Sequence, residues 1–230
     1  MFFGIVISVA VVGALVLAIG LFLQRGREGV DLSPRALLRV YLYVASLAGV
    51  IVAAGGLAAL LTVGLAASPL GRDAIYGGQS RFAIAPVPVE KCPPGVPCPE
   101  APKPEEQQRR LAAQQERLVG EDLIRGVTFT VFGAIFLGAH WAARRALAID
   151  ERRSLLRRAY LMLGTLAFGL ATIGLLPNGV TTAATNALLA ATPETYRQPA
   201  GEALGGGLVA LAVWLVYLRL VVRELRHSDA

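Results

Sequence analysis

The two cysteines are the first candidates for chemistry in the sequence. Cys92 and Cys98 enclose the segment Pro-Pro-Gly-Val-Pro and are the two cysteines of the 230-residue chain. Thiols at this spacing form a small disulfide loop where the compartment permits oxidation. A closed zinc site needs four ligands, and no histidine lies near these thiols in the sequence. A thiol-oxidising membrane enzyme would generally need a second cysteine pair. We therefore expect a structural disulfide, with no bound metal and no other cofactor.

His140 is one of the two histidines and lies near the end of an apolar run, directly before Trp141. This position is typical of a side chain that anchors a helix at the membrane interface. A haem or quinone ligand is the alternative, but ligation by two histidines would require the tail that holds His227 to fold back. The chain contains no Ser-His-Asp set, HExxH motif or phosphate-binding glycine loop. We expect no catalytic residue and no enzymatic activity.

Six arginines are concentrated in a short segment after Trp141: Arg144, Arg145, Arg152, Arg153, Arg157 and Arg158. Such a cluster can bind anionic lipid or an acidic partner, and it also fixes the orientation of the neighbouring helices. The formal net charge of +6 would suggest nucleic acid for a soluble domain. Because most of the excess lies beside hydrophobic runs, we expect no nucleic-acid binding.

The composition shows which elements must hold these residues. Hydrophobic residues make up 55% of the chain, charged residues make up 17%, and the mean hydropathy is +0.57. These values exclude an ordinary soluble globule and predict an all-α, polytopic membrane bundle. Five apolar runs are long enough to cross a bilayer: Phe2–Leu23, a span within Val40–Gly71, Gly126–Ala143, Ala159–Leu176 and Ala203–Val222.

The distribution of basic residues predicts how the spans are oriented. Thirteen of the 22 Lys and Arg residues lie in segments 24–39, 144–158 and 219–230, which five spans place on one side of the membrane. Basic loops face the cytoplasm. We expect an N-terminus outside, a C-terminus inside and a location in a bacterial plasma membrane. We interpret Phe2–Leu23 as a retained helix, because no basic residue precedes it and it exceeds a signal-peptide core.

Residues 72–125 are then the one sizeable external segment. Its first half is rich in proline, which favours an extended or turning chain without a packed core. From Pro104 the composition changes to Glu105, Glu106 and further charged and amide residues, which predicts the start of a helix. This helix could run into the span that begins at Gly126, unless Gly120 breaks it.

The chain also resembles itself at an offset of 119 residues. Arg39, Tyr41 and Leu42 recur as Arg158, Tyr160 and Leu161, and Leu65–Pro69 reappears after a five-residue slip as Leu189–Pro193. We interpret this as a duplicated unit of two helices. Both units are expected to begin and end on the cytoplasmic side of the membrane. The repeats would then be parallel, unlike an inverted transporter repeat.

The Arg39-x-Tyr41-Leu42-Tyr43 entry, the glycine-bearing span and the His140-Trp141 pair before Arg144 resemble an uncharacterised bacterial family. Its members are multi-pass membrane proteins classed as a domain of unknown function, with recurring two-helix units. The resemblance covers roughly residues 35–222. The second unit departs from the pattern by placing Tyr217 and Leu218 where His-Trp is expected. The resemblance implies no activity.

We divide the chain into three parts: residues 1–34, with the first helix and a loop; 35–148, the first unit with the external segment 72–125; and 149–230, the second unit and the tail. The expected function is that of a non-enzymatic accessory, assembly or scaffold subunit of a larger bacterial membrane complex. Its expected partners are the lipid bilayer and other membrane subunits or further copies of itself. A small oligomeric transporter or channel is the first alternative, and a redox subunit with haem or quinone is the second.

Overall fold

A computed structural model describes residues 34–77, 104–146, 155–189 and 198–228, and the regular structure in these ranges is entirely α-helical. The helices are α1 (Pro34–Ala66), α2 (Gly71–Tyr76), α3 (Pro104–Ala146), α4 (Leu155–Leu188) and α5 (Gly201–Ser228). The predicted span Phe2–Leu23, Cys92 and Cys98, and Arg152 and Arg153 lie outside the described residues.

Four of these helices are long and apolar enough to cross a membrane. The qualifying stretches are Leu37–Ala66, Gln108–Ala146, Leu156–Leu188 and Gly201–Arg226. The predicted all-α class is therefore confirmed for the described residues. The number of spans in the whole chain and their orientation stay predictions.

The helices α3 and α4 extend furthest beyond the apolar runs that predicted them. α3 begins at the predicted Pro104 and continues through Gly120 without a break for 43 residues, which corresponds to about 65 Å. α4 continues past Pro177 to Leu188, beyond the apolar run that ends at Leu176. Proline removes one backbone hydrogen bond within a helix. Membrane helices tolerate proline because neighbouring helices or nearby side chains can satisfy the freed carbonyl group.

The four long helices form two pairs. α1 packs against α3, α4 packs against α5, and α1 also contacts both helices of the second pair. Among the described elements, the backbone of α3 comes close only to that of α1 and that of the short helix α2. α1 therefore lies at the centre of the described helices, whereas α3 lies at their edge.

Small residues bring the helices close together. A side chain at Gly133 of α3 would collide with the backbone of Ala53 in α1, and one at Gly205 of α5 would collide with Thr62. Close backbone approach at small residues is the usual packing device of membrane helices, because lipid removes the hydrophobic drive between them. The fully buried Phe168 of α4 lies in the main core cluster beside Tyr217 of α5.

Candidate functional site

Arg144 connects the two helix pairs at the basic end of the bundle. Its guanidinium carbon lies 4.1 Å from the ring centroid of Tyr43 in α1 and 5.8 Å from that of Tyr160 in α4. A cation over a tyrosine face is attracted by the ring quadrupole, and the attraction grows where water is excluded. Arg144 therefore contacts the bundle's own aromatic rings.

A chain of tyrosines lies beneath this arginine. The Tyr43 and Tyr160 rings are 5.3 Å apart, and the Tyr160 and Tyr217 rings are 5.7 Å apart between centroids. The buried hydroxyl of Tyr217 donates a hydrogen bond of 2.7 Å to the Tyr160 hydroxyl oxygen. This contact joins α4 to α5 and satisfies a polar group that would be costly to bury alone.

His140 of α3 contacts Tyr41 of α1, as Tyr217 of α5 contacts Tyr160 of α4. Its Nδ1 lies 2.7 Å from the Phe136 carbonyl oxygen, and its Nε2 lies 3.3 Å from the Tyr41 hydroxyl. Tyr41 and Tyr160 are partners in the 119-residue repeat, so one matched tyrosine contacts His140 and the other contacts Tyr217. A duplicated unit predicts this correspondence, although the duplication itself stays a prediction. Ligation of haem by Nε2 would require this nitrogen to leave Tyr41.

The other predicted arginines have different surroundings. Arg157 forms a 3.0 Å ion pair with Glu224 between the start of α4 and the end of α5, and both side chains are partly buried. Arg145 lies over the Trp141 ring at 3.7 Å, and Arg158 is exposed. The described arginines therefore include two that stabilise the bundle and two that remain accessible. Lipid or partner contact by this group stays a prediction.

A cavity of about 240 Å³ lies at the opposite end, between α1, α2, α3 and α5. Its floor consists of small and aliphatic residues of α1 and α2, including Ala58, Ala59 and Ile75. Its polar lining comes from four elements: Thr62, Tyr76, Asp122, Arg125 and Glu202. Such a combination of an apolar floor with a few convergent polar groups is typical of small-molecule sites.

Tyr76 and Asp122 form the central polar contact of this cavity. The Tyr76 hydroxyl donates a hydrogen bond of 3.1 Å to Asp122 Oδ2, and Arg125 Nη1 lies 3.8 Å from Asp122 Oδ1. Burial raises the pKa of Tyr76, and the nearby Asp122 charge raises this pKa further. Tyr76 therefore remains a neutral donor at physiological pH and holds one oxygen of the carboxylate.

The short helix α2 is positioned by side chains from two other helices. Gln115 of α3 donates hydrogen bonds to Asp73 Oδ1 at 2.9 Å and to the Gly77 carbonyl oxygen at 3.0 Å. Buried Asn186 of α4 donates to the carbonyl oxygens of Ala74 at 3.0 Å and Gln198 at 2.9 Å. These contacts fix the wall of the cavity that Tyr76 provides.

The sequence reasoning did not identify this cavity. Asp122 and Arg125 lie within the predicted external segment 72–125, and nothing local in the sequence indicates that Tyr76 lies opposite them. The available signal was weak: an acid and an arginine three residues apart, directly before the apolar run at Gly126. Asn186 carried a signal too, as an amide within a helix-forming stretch of otherwise small or apolar residues and threonines.

The fold and its two polar ends define a helical protein with four described helices capable of crossing a membrane. Residues 107–227 match the family model of a domain of unknown function, DUF5671, and the chain belongs to this family. The match covers slightly more than half of the chain and includes nearly all of α3 through α5. The resemblance to an uncharacterised family is thereby confirmed. Neither a search of the curated proteins nor a search of the solved structures found a match.

Proposed function

We propose that the protein is a non-enzymatic integral membrane protein that acts as an accessory, assembly or scaffold subunit of a larger membrane complex. The four apolar helices and the predicted span Phe2–Leu23 cross a bacterial plasma membrane, with the arginine-rich end in the cytoplasm and the cavity outside. The excess of Lys and Arg at the arginine-rich end supports this orientation, because basic loops face the cytoplasm.

The observation that carries the proposal is the uncovered apolar face of α3. Ile124, Phe132 and Ile135 are 71%, 67% and 64% exposed, and no other described helix packs over them. In a bilayer such a face contacts either lipid or a helix of another chain. The same helix continues into turns with exposed charges of both signs, where Arg110 pairs with Glu106 at 2.7 Å.

One helix therefore provides an apolar contact surface within the membrane and a charged surface beyond it. A partner that has both a membrane helix and an extramembrane segment matches this arrangement along its whole length. We propose as the occupant a membrane helix of a different chain. This choice follows from the charged extension of α3, which a lipid-facing surface alone does not require.

A photo-crosslinking amino acid at position 132 tests the proposal in the native membrane. The matched control carries the same amino acid at position 173 of α4, since Ile173 is also apolar and 74% exposed. We expect an adduct with one specific chain at position 132 and no protein adduct at position 173. The same chain should remain bound in a fixed ratio after purification in a gentle detergent.

Lipid adducts alone at both positions would overturn the subunit proposal. An adduct between two copies of this chain would instead favour a small transporter or channel that works as an oligomer. The polar cavity beside Asp122 is the observation in favour of this second candidate, and substrate-dependent flux in vesicles would be its direct test.

A further inference from the structure

One side of α1 is left open by the other described helices. α3 and α5 both pack on α1, but within the described residues their backbones do not come close to each other. Tyr41 and Val44 of α1 are 56% and 53% exposed, and Ala48 is exposed too. Because they are three and four positions apart, these side chains share one face of the helix. α1 therefore carries an uncovered, mainly apolar face near its arginine-rich end.

α5 provides one wall beside this face. Gly205 of α5 is buried, and a side chain there would collide with Thr62 of α1. Ala212 and Val216 follow on the same side of α5, because seven and eleven residues each correspond to a nearly whole number of turns. Ala212 is exposed, and Val216 is 55% exposed. The side of α5 that packs on α1 near the cavity is therefore uncovered further along.

α3 provides the other wall. The His140 Nε2 atom lies 3.3 Å from the Tyr41 hydroxyl oxygen, and the centroids of the Phe136 and His140 rings are 4.1 Å apart. Phe136 is 43% exposed. At membrane depth, apolar side chains of this kind contact either lipid or a further helix. We call this open space the α1 groove: its floor consists of Tyr41, Val44 and Ala48, and its walls include Phe136 and Val216.

The chain itself has an apolar segment that can reach this groove. The run Phe2–Leu23 has 22 residues, which as a helix would measure about 33 Å. The ten residues 24–33 connect this run to Pro34 at the start of α1, and they can span at most about 35 Å. Consecutive elements usually lie next to each other. The tether also gives the segment an effective concentration on the order of millimolar at the groove, which a separate chain lacks.

The length and the small residues of this segment suit the groove. The floor face of α1 continues from Tyr41 to Ala59 at the cavity, which corresponds to about 27 Å along the helix. Ala10, Ala14 and Ala18 are four positions apart, so they would form a stripe of small residues along one side of a helix. Small residues let membrane helices approach closely.

We propose that the chain's own segment Phe2–Leu23 forms a helix that fills the α1 groove and runs antiparallel to α1. Its alanine stripe packs on Val44 and Ala48, and its N-terminal end reaches the level of the cavity. This packing rests on the proposed function in one respect, since it takes Phe2–Leu23 as a membrane span. It completes the cover of α1 and leaves the exposed face of α3 free for the partner chain.

Photo-crosslinking within one chain tests this packing in the native membrane. The full-length protein carries an apolar amino acid with a diazirine group at position 44 and a site for a specific protease inserted after Gly29. After illumination, the protein is solubilised in a gentle detergent and cleaved, and a denaturing gel separates the products. We expect part of the N-terminal fragment to stay attached to the rest of the chain.

The matched control carries the same amino acid at position 57. Leu57 is 46% exposed and lies nine positions after Ala48, which is two and a half turns and therefore the opposite side of α1. The N-terminal fragment should be released completely from this variant. Retention of the fragment at position 57, or its complete release at position 44, would overturn the proposal.

The uncleaved sample identifies the source of the attached segment. Attachment within one chain leaves the crosslinked protein at monomer mass. A heavier product would mean that a second copy or another protein fills the groove, and it would overturn the proposal.

A substitution in the groove floor checks the contact independently. Ala48→Leu adds bulk where the alanine stripe packs, so it should reduce the retained fraction at position 44 severalfold. Leu57→Phe adds the same number of carbon atoms on the opposite side of α1 and should leave this fraction unchanged. Equal fractions in the Ala48→Leu and wild-type proteins would overturn the packing on Ala48. Each of these failures would leave the crosslink expected at position 132 of α3 unaffected, so the two proposals fail separately.

Discussion

At the scale of single residues, glycines determine how closely α1 and α3 approach. A Cβ atom at Gly133 would collide with the backbone nitrogen and Cα of Ala53. Backbone atoms cannot rotate away as a side chain can, so Gly133→Ala should force the two helices apart. We expect a loss of about 1–3 kcal/mol, the usual cost of overpacking a well-packed contact. The midpoint of thermal unfolding in detergent measures this loss.

Gly138 provides the matched control on the same helix. A Cβ atom there would have no neighbour within 4 Å. Alanine is also the better helix former, so Gly138→Ala should be neutral or slightly stabilising. Equal unfolding midpoints for the Gly133→Ala and Gly138→Ala proteins would contradict the close helix contact.

At the scale of elements, α2 depends on its neighbours. A helix of six residues is too short to be stable alone, because nucleation costs more than its few hydrogen bonds return. Asn186 donates to the Ala74 carbonyl and is buried, so Asn186→Ala should release this helix. We expect faster hydrogen exchange in the peptide covering Gly71–Tyr76 and little change in the centre of α1.

Thr185 is the matched control for this change, since it precedes Asn186 on α4 and its side chain is exposed. Thr185→Ala should leave the exchange of α2 at the wild-type rate. If Asn186→Ala also leaves it unchanged, the contact does not hold α2 in place.

The same elements show how far the sequence could predict the structure. Four of the apolar runs predicted helices because twenty apolar residues satisfy one dominant requirement, the thickness of the bilayer. The start of α3 at Pro104 was also predicted, since first-turn proline and acids act locally. Neither α2 nor the end of α4 could be predicted, because both depend on contacts such as Asn186 with Ala74, which are distant in sequence.

The candidate sites were likewise predictable only where they depend on local sequence, and not where they depend on contacts between distant residues. The arginine cluster was visible in the sequence, but the contact of Arg144 with Tyr43 and the pairing of Arg157 with Glu224 depend on how the helices pack. The cavity was not visible, since Thr62, Asp122 and Glu202 lie on three different helices. Composition predicts where a charge lies relative to the membrane, and only packing determines what it contacts.

At the scale of the whole molecule, the two ends differ in character, and this difference predicts orientation. Ala113 and Ala146 are both exposed on α3 and lie 33 positions apart, which corresponds to about 50 Å along the helix. This distance exceeds the roughly 40–45 Å thickness of a bilayer with its headgroups. A cysteine at each position, in a protein with Cys92→Ser and Cys98→Ser, therefore reports one side of the membrane.

An impermeant maleimide added to intact cells should label Ala113→Cys and should label Ala146→Cys only after the membrane is permeabilised. The physical reason is that the arginines beside Ala146 are retained in the cytoplasm, whereas the opposite end carries fewer basic residues. Matched Ala→Cys changes leave the charge distribution intact, so the labels do not disturb the orientation that they measure. Labelling of Ala146→Cys alone in intact cells would reverse the assignment and place the cavity beside Asp122 in the cytoplasm. Labelling of both positions in intact cells would show that this stretch of α3 does not cross the membrane.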